Sequence, residues 1–331
     1  MAKTDKIRFG VIADIHLDIM HDGKRRMTAF LDEMKKQDVD FIIQLGDFTY
    51  PDDTSRCDCP EEKMPVNIKS AYQHKTPVDT VGVLKMFNAF EKPKYHVFGN
   101  HDFDFISRKD AVAMFGAEDS YYAFHKNGWH FIVLDGNYIK DKNGEYKHYE
   151  YGQYFYQDLP WLPPEEMEWL RNEIEHSTEP IVMFSHQPMF NMFGCVKNYQ
   201  QFQDLVAEYK AKGKDIRMCL NGHLHIDRLD EINGVLYYNV NSMSNQWVDL
   251  KYQYKGRYSD KLEEKFPNLR YTIPFQKPLW AIVTLDEDGV KVEGKKGKFV
   301  YPGPKQLGYD DSWSTNKTSC HISSWERKWR L

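Results

Sequence analysis

Tyr95-His96-Val97-Phe98-Gly99-Asn100-His101-Asp102 is an apolar run that stops abruptly in a glycine, an amide, an imidazole and a carboxylate. The run reads as a buried strand, so its polar residues sit at the carboxyl end, where open α/β sheets bind ligands. Alone the motif is weak, because Gly-Asn is also a common turn. Four other apolar runs end in the same manner. Phe9 to Ala13 leads into Asp14 and His16, Phe41 to Leu45 into Gly46-Asp47, Ile181 to Ser185 into His186, and Ile216 to Asn221 into Gly222-His223-Leu224-His225. Five near-continuous apolar runs, each closed by a carboxylate, an amide or an imidazole, define one converging site.

Between these runs the spacing is helical. Met27, Phe30, Leu31 and Met34 follow i, i+3, i+4, i+7, and Val83, Met86, Phe87 and Phe90 mark a second helix before Pro93. Ser107 to Asp110 has capping-box spacing, so a short helix begins there. Pro163-Pro164 opens another helix with Met167, Leu170 and Ile174 on one face, and Phe202, Leu205, Val206 and Tyr209 line a further one. The first strand, helix and second strand form a βαβ unit, right-handed by the general rule. Asn127-Gly128, Asn233-Gly234 and the turn at 286–289 read as hairpin connections. Strands alternating with helices and then giving way to hairpins predict an α/β sandwich. Residues 1–294 are expected to form a single domain, with long insertions near 51–76, 136–162 and 251–278. The tail 295–331, containing Trp313, Trp325 and Trp329, is expected to pack on the surface.

The composition narrows the class. With 331 residues, 41% of them hydrophobic and 28% charged, the chain is long enough for a sizeable core and has a globular balance. Its net charge of −5 gives no general pull toward nucleic acid or an anionic membrane, so no polymeric nucleic acid partner is expected. The five cysteines are odd in number and scattered, which argues against a disulfide framework; Cys57 and Cys59 read as unpaired loop thiols. Met1 to Lys6 carries no apolar signal region and no run approaches a membrane span, so a cytoplasmic location is expected.

Asp14, His16, Asp47, Asn100, His186, His223 and His225 form the ligand inventory. Oxygen and nitrogen donors without thiolate suit Mn, Fe or Zn. Seven candidates are too many for one tetrahedral ion and about right for two that share a bridge. A carboxylate can bridge, whereas a neutral imidazole ligates one ion, so Asp47 is the natural bridge. Two ions at about 3.5–4 Å can hold a hydroxide between them for in-line attack on phosphorus. His101 is spare in this count and is the candidate acid for the leaving group, with Asp102 as its orienting partner.

Asp14-x-His16, Gly46-Asp47, Gly99-Asn100-His101-Asp102, His186 and Gly222-His223-x-His225, in this order, resemble the signature of the calcineurin-like metallophosphoesterase superfamily. The resemblance spans residues 14–225. It implies a four-layer αββα sandwich with two mixed sheets and a dinuclear site. By matching position, Asp14, His16, Asp47 and His225 would hold one metal, Asp47, Asn100, His186 and His223 the other, and His101 would protonate the leaving group.

Two local features point to subfamilies. Gly46-Asp47-Phe48-Thr49-Tyr50 resembles the Gly-Asp-x-x-Tyr block of purple acid phosphatases, whose tyrosine ligates Fe³⁺. Those enzymes lack a histidine matching His16, so Tyr50 is expected to be a pocket residue. Gly99 to Arg108 with Tyr121-Tyr122-Ala123 is similar to the manganese-dependent ADP-ribose/CDP-alcohol diphosphatases, which carry Gln in place of His16. The expected activity is a two-metal hydrolase of small phosphodiester or nucleotide-like substrates. The alternatives are a phosphomonoesterase, a diphosphatase of that type and, more distantly, a non-catalytic binding scaffold. Arg108 could clamp a phosphate or hold a helix start, and Phe103, Phe105, Met192, Phe193 and Trp247 could stack on a substrate ring or serve as packing.

Overall fold

The computed structural model describes residues 4–64, 68–69, 72–73, 78–153, 160–309 and 318–329. The amino-terminal Met1 to Lys3, His74, Trp313 and parts of the 51–76 and 136–162 insertions lie outside the described residues.

Two six-stranded mixed sheets face each other. The first contains β1 (Ile7–Ile12), β2 (Phe41–Leu45) and β3 (Lys94–Val97), mutually parallel, continued on the far side of β1 by β14 (Ala281–Leu285), β15 (Gly289–Gly294) and β16 (Trp325–Lys328), all antiparallel to their neighbours. The second runs β10 (Arg228–Ile232), β11 (Val235–Asn239), β9 (Ile216–Asn221), β8 (Ile181–Phe184), β5 (Trp129–Val133) and β4 (Tyr122–Lys126). In it β11, β9, β8 and β5 are parallel, and hairpins add β10 and β4 at the two edges.

Strand period explains why the runs are nearly all apolar. Phe9 and Val11, Phe41 and Ile43, Phe131 and Val133, Val182 and Phe184, and Met218 and Leu220 point into one core between the sheets. Their alternates face outward into two further cores. Ile12 and Ile42 meet α1 (Gly23–Lys36), α2 (Thr80–Asn88) and α3 (Arg108–Phe115). Ile132, Ile181 and Met183 meet α4 (Pro164–His176) and α5 (Tyr199–Ala211). A strand buried on both faces has no reason to alternate with polar residues. The result is four layers, helices–sheet–sheet–helices. Gly10 lets α1 sit close on β1, since a Cβ there would lie 2.1 Å from Met34 Sδ.

Local signals act as expected. Ser107 caps α3 by accepting from Asp110 N–H. The insertions are less irregular than their composition predicts. Within 136–162, β6 (Tyr138–Lys140) and β7 (Tyr146–His148) form a hairpin. Within 251–278 lie α6 (Asp260–Lys265), a 3₁₀ turn Pro267–Tyr271 and β13 (Thr272–Pro274), which pairs with β12 (Asn245–Trp247). Phe266 and Leu269 anchor this segment on Ile19 and Met20. Strands of three residues are too short to display a period. The tail contributes β16 as a sheet edge, and Trp325 packs against the central core. Among the described residues, no helix is long and apolar enough to cross a membrane.

Candidate metal centre

The carboxyl ends of β1, β2, β3, β8 and β9 meet at one edge of the sandwich, and each delivers residues singled out above. Asp14, His16 and His225 lie together, with one ligand atom from each within 4.8 Å of the others. Asp47, His186 and His223 form a second such group. Asp47 Oδ2 stands between them, 3.1 Å from His186 Nε2 and 3.7 Å from His16 Nε2. Asn100 is buried at the start of a single 3₁₀ turn, Asn100–Phe103, and the next N–H, of His101, donates to Asp47 Oδ1 at 2.8 Å.

The backbone is bent to achieve this convergence. Asp14, His16, Asp47, His223 and His225 all have φ between 49° and 73°, five of the nine non-glycine residues with positive φ among the described residues. Asp and His tolerate that region better than most residues, yet each such residue costs on the order of 1–3 kcal/mol, and such strain gathers at functional sites. Gly99 supplies the close approach, because a Cβ there would fall 2.3 Å from both Asp47 N and Asp47 Oδ1.

The hydrogen bonds of the imidazoles show what the groups fit. His225 Nδ1 donates to the Asn245 carbonyl at 2.6 Å, and His186 Nδ1 donates to the Leu45 carbonyl at 2.7 Å. A carbonyl only accepts, so in the neutral ring, the form that binds a metal, both Nε2 atoms carry lone pairs. His16 Nδ1 faces Asp18 Oδ1 at 3.4 Å, which likewise leaves its Nε2 as a lone pair. That lone pair points at His225 Nε2 across 3.2 Å, and Asp14 Oδ1 lies 3.4 Å from the same atom. Acceptor nitrogens and carboxylates turned on one another in a buried space match a cation, and the donor set fits two.

Asp102 corrects the sequence expectation. Its carboxylate does not orient His101; it accepts from the backbone N–H groups of Gly99 at 2.8 Å, Asp47 at 3.1 Å and Thr49 at 3.0 Å, clamping the β2 and β3 ends together. The partner of His101 is Asp104, whose Oδ2 lies 2.7 Å from His101 Nδ1. Burial by itself would lower the His101 pKa, but the carboxylates of Asp104 and Asp47 outweigh it and push it up to about 10. The spacing i, i+3 in a helical turn was the signal for Asp104. Asp18 follows the alternation Asp14-x-His16-x-Asp18. The carbonyl of Asn245 had no signal, since every residue has one.

Other singled-out residues lie elsewhere. Tyr50 is fully buried, its ring 4.8 Å from that of Phe105 in a small core with Ile68. Arg108 donates from Nε to Ser120 Oγ at 2.8 Å and from Nη2 to Asp119 Oδ1 at 2.6 Å, holding a helix start. Phe103 is core, Met192 is half-buried, and Cys57 and Cys59 are free thiols. Phe193 and Trp247 do line the site. A cleft of about 560 Å³ has Asp47, His101 and His223 on its floor and Phe193, Trp247, Asp249 and Tyr309 in its walls. Phe193 is 77% exposed, and the Trp247 ring lies 5.5 Å from His16 and 6.3 Å from His101.

Comparison with known proteins agrees with this architecture. The sequence model of a family described as calcineurin-like phosphoesterase matches residues 7–227. A manganese-dependent ADP-ribose/CDP-alcohol diphosphatase from Oryza sativa subsp. japonica is 22% identical over 270 residues, 66% of this chain and 77% of the relative. The crystal structure of a dimetal phosphatase from Danio rerio superposes with a TM-score of 0.58 at 14% identity, covering 89% of this chain and 98% of the other. At that identity the likeness is one of fold.

Proposed function

Because the chain belongs to the calcineurin-like phosphoesterase family, a family of metal-dependent hydrolases of phosphate esters, we propose that its two buried clusters hold a pair of ions. In this reading Asp14, His16, Asp47 and His225 hold one ion, and Asp47, Asn100, His186 and His223 hold the other. The observation that carries the reading is the position of Asp47 Oδ2 between the two imidazole groups. Mn, Fe and Zn all suit these donors, and the manganese dependence of the rice relative favours Mn. Bound ions of this kind supply Lewis-acid activation of water and neutralise charge on phosphoryl oxygens.

The chain's own residues do the rest. His101 lines the floor of the cleft with its Nδ1 on Asp104, and in this reading its Nε2 gives a proton to the departing oxygen. The organic arm of the ester lies along the wall formed by Trp247 and Phe193, which favours small phosphodiester or nucleotide-like substrates. A second reading, cleavage of a diphosphate bond, is favoured by the 22% identity to the rice enzyme.

Metal-free protein reloaded with Mn²⁺, Fe²⁺ or Zn²⁺ and assayed on p-nitrophenyl phosphate, bis-p-nitrophenyl phosphate, cyclic AMP and a CDP-alcohol tests both readings. The proposal expects fastest turnover of the diesters; preference for the CDP-alcohol supports the second reading. Absence of turnover with every metal and substrate overturns both.

A further inference from the structure

Beneath the ligand clusters lie two buried polar residues that touch no substrate cleft and are not among the ligands. Asn137 is 0% exposed, and its side chain uses its full hydrogen-bonding capacity. Its Nδ2 donates to the Phe98 carbonyl at 2.8 Å and to Asp135 Oδ1 at 2.7 Å. Its Oδ1 accepts from Gln187 Nε2 at 2.7 Å and from the Tyr149 hydroxyl. Phe98 immediately precedes Gly99-Asn100, and Gln187 immediately follows His186. One amide therefore joins the β3 end to the β8 end, the two loops that carry Asn100 and His186.

Ser242, also 0% exposed, does the equivalent on the other side. Its Oγ donates to the Asp14 carbonyl at 2.8 Å and accepts from Ser244 N at 3.0 Å and Asn245 N at 3.2 Å. The Asn245 carbonyl in turn receives His225 Nδ1. Ser242 therefore joins Asp14 to the residue that orients His225. Among the described residues, neither Asn137 nor Ser242 hydrogen-bonds to the residues that the other holds.

We infer that Asn137 and Ser242 are positioning residues, each for a different ion of the pair: Asn137 for the ion held by Asn100, His186 and His223, and Ser242 for the ion held by Asp14, His16 and His225. The inference rests on the two-ion reading above. It follows because residues that orient ligands typically govern metal affinity by about 10–100-fold, and here Asn137 and Ser242 share no hydrogen-bond partner, the two sets meeting one bond further on, where the Asp14 carboxylate accepts from His223 N–H at 3.1 Å.

The test is calorimetric Mn²⁺ titration of the metal-free full chain, with bound metal counted by elemental analysis, for the wild type, Asn137→Ala and Ser242→Ala. Two binding steps are expected in the wild type. Asn137→Ala should weaken one step by about 10–100-fold and leave the other within a few-fold, and Ser242→Ala should do the reverse. Should Asn137→Ala fail to fold, Gln187→Met, which removes one of the two donors to Asn137 Oδ1, should weaken the same step in a smaller measure. Both steps shifting together in each variant, or neither shifting, overturns the inference. A wild type that takes up fewer than two ions removes the two-ion reading and the inference with it, and is told apart because no variant is involved.

Discussion

His101 and Asp104 are joined across one helical turn, Nδ1 to Oδ2 at 2.7 Å, with Asp104 fully buried and the imidazole at the floor of the cleft. The bond fixes the ring by engaging its Nδ1. Asp104→Asn keeps the size and loses the charge that favours the imidazolium. Turnover of esters with poor, alkoxide-like leaving groups should fall by about 10–100-fold, a part of what a positioned acid contributes. Nitrophenyl esters should fall far less. Equal losses across a leaving-group series would remove this role.

Gly99→Ala places a methyl where Asp47 N and Oδ1 now lie, 2.3 Å away. Asp47 must shift, and both groups lose their common oxygen. Activity should drop by about 100-fold or more, as a 1 Å misplacement can cause. The far-ultraviolet circular dichroism should stay that of the wild type, and bound Mn²⁺ counted by elemental analysis should fall.

Trp247→Ala opens one wall of the cleft beside His16 and His101. Loss of a ring contact of about 1 kcal/mol corresponds to about a fivefold rise in KM for substrates with a ring on the ester arm. A methyl phosphodiester should show little change in KM, so the comparison separates stacking from general disruption.

Chelation of the metals leaves Asp14 and Asp47 buried together with the lone pairs of His16, His186 and His225. The melting temperature should fall on chelation and recover on reloading. Ligand at about 100 times its Kd stabilises by about 2.7 kcal/mol. An unchanged melting temperature would count against a cation in this cage.

Acid sensitivity should come partly from His96, packed against Phe87 and Phe115 in the outer core. Burial, helped by nearby Lys94, pushes its pKa down to about 3. Its neutral ring accepts from Gln44 Nε2 at 3.3 Å and donates to Asn88 Oδ1 at 2.9 Å. A histidine depressed in the folded state contributes stability that is complete above about pH 6.5. That stability drains as pH falls toward 3, at about 1.4 kcal/mol per unit. Urea midpoints between pH 7 and pH 4 should fall less steeply in His96→Gln than in the wild type.

The sequence alone marked the five central strands and the polar residues at their ends. The five runs are largely buried on both faces, so few polar residues (Gln44, His96 and Arg217) interrupt them before the chain leaves the sheet, and the polar residues beyond mark the exit. It also marked Asp47, a carboxylate alone at the end of its strand, as the natural candidate to serve two ions. Tertiary structure decided the rest. Two carboxylates follow His101 closely, and only the folding of Asn100–Phe103 into a single turn sends Asp102 back to three backbone N–H groups and brings Asp104 beneath the ring. The left-handed backbone at five candidate ligands, the walls drawn from Phe193, Trp247 and Tyr309, and the braces at Asn137 and Ser242 come from segments far apart in the chain. Local pattern records which residues leave water; which of them meet is fixed by how the two sheets pack.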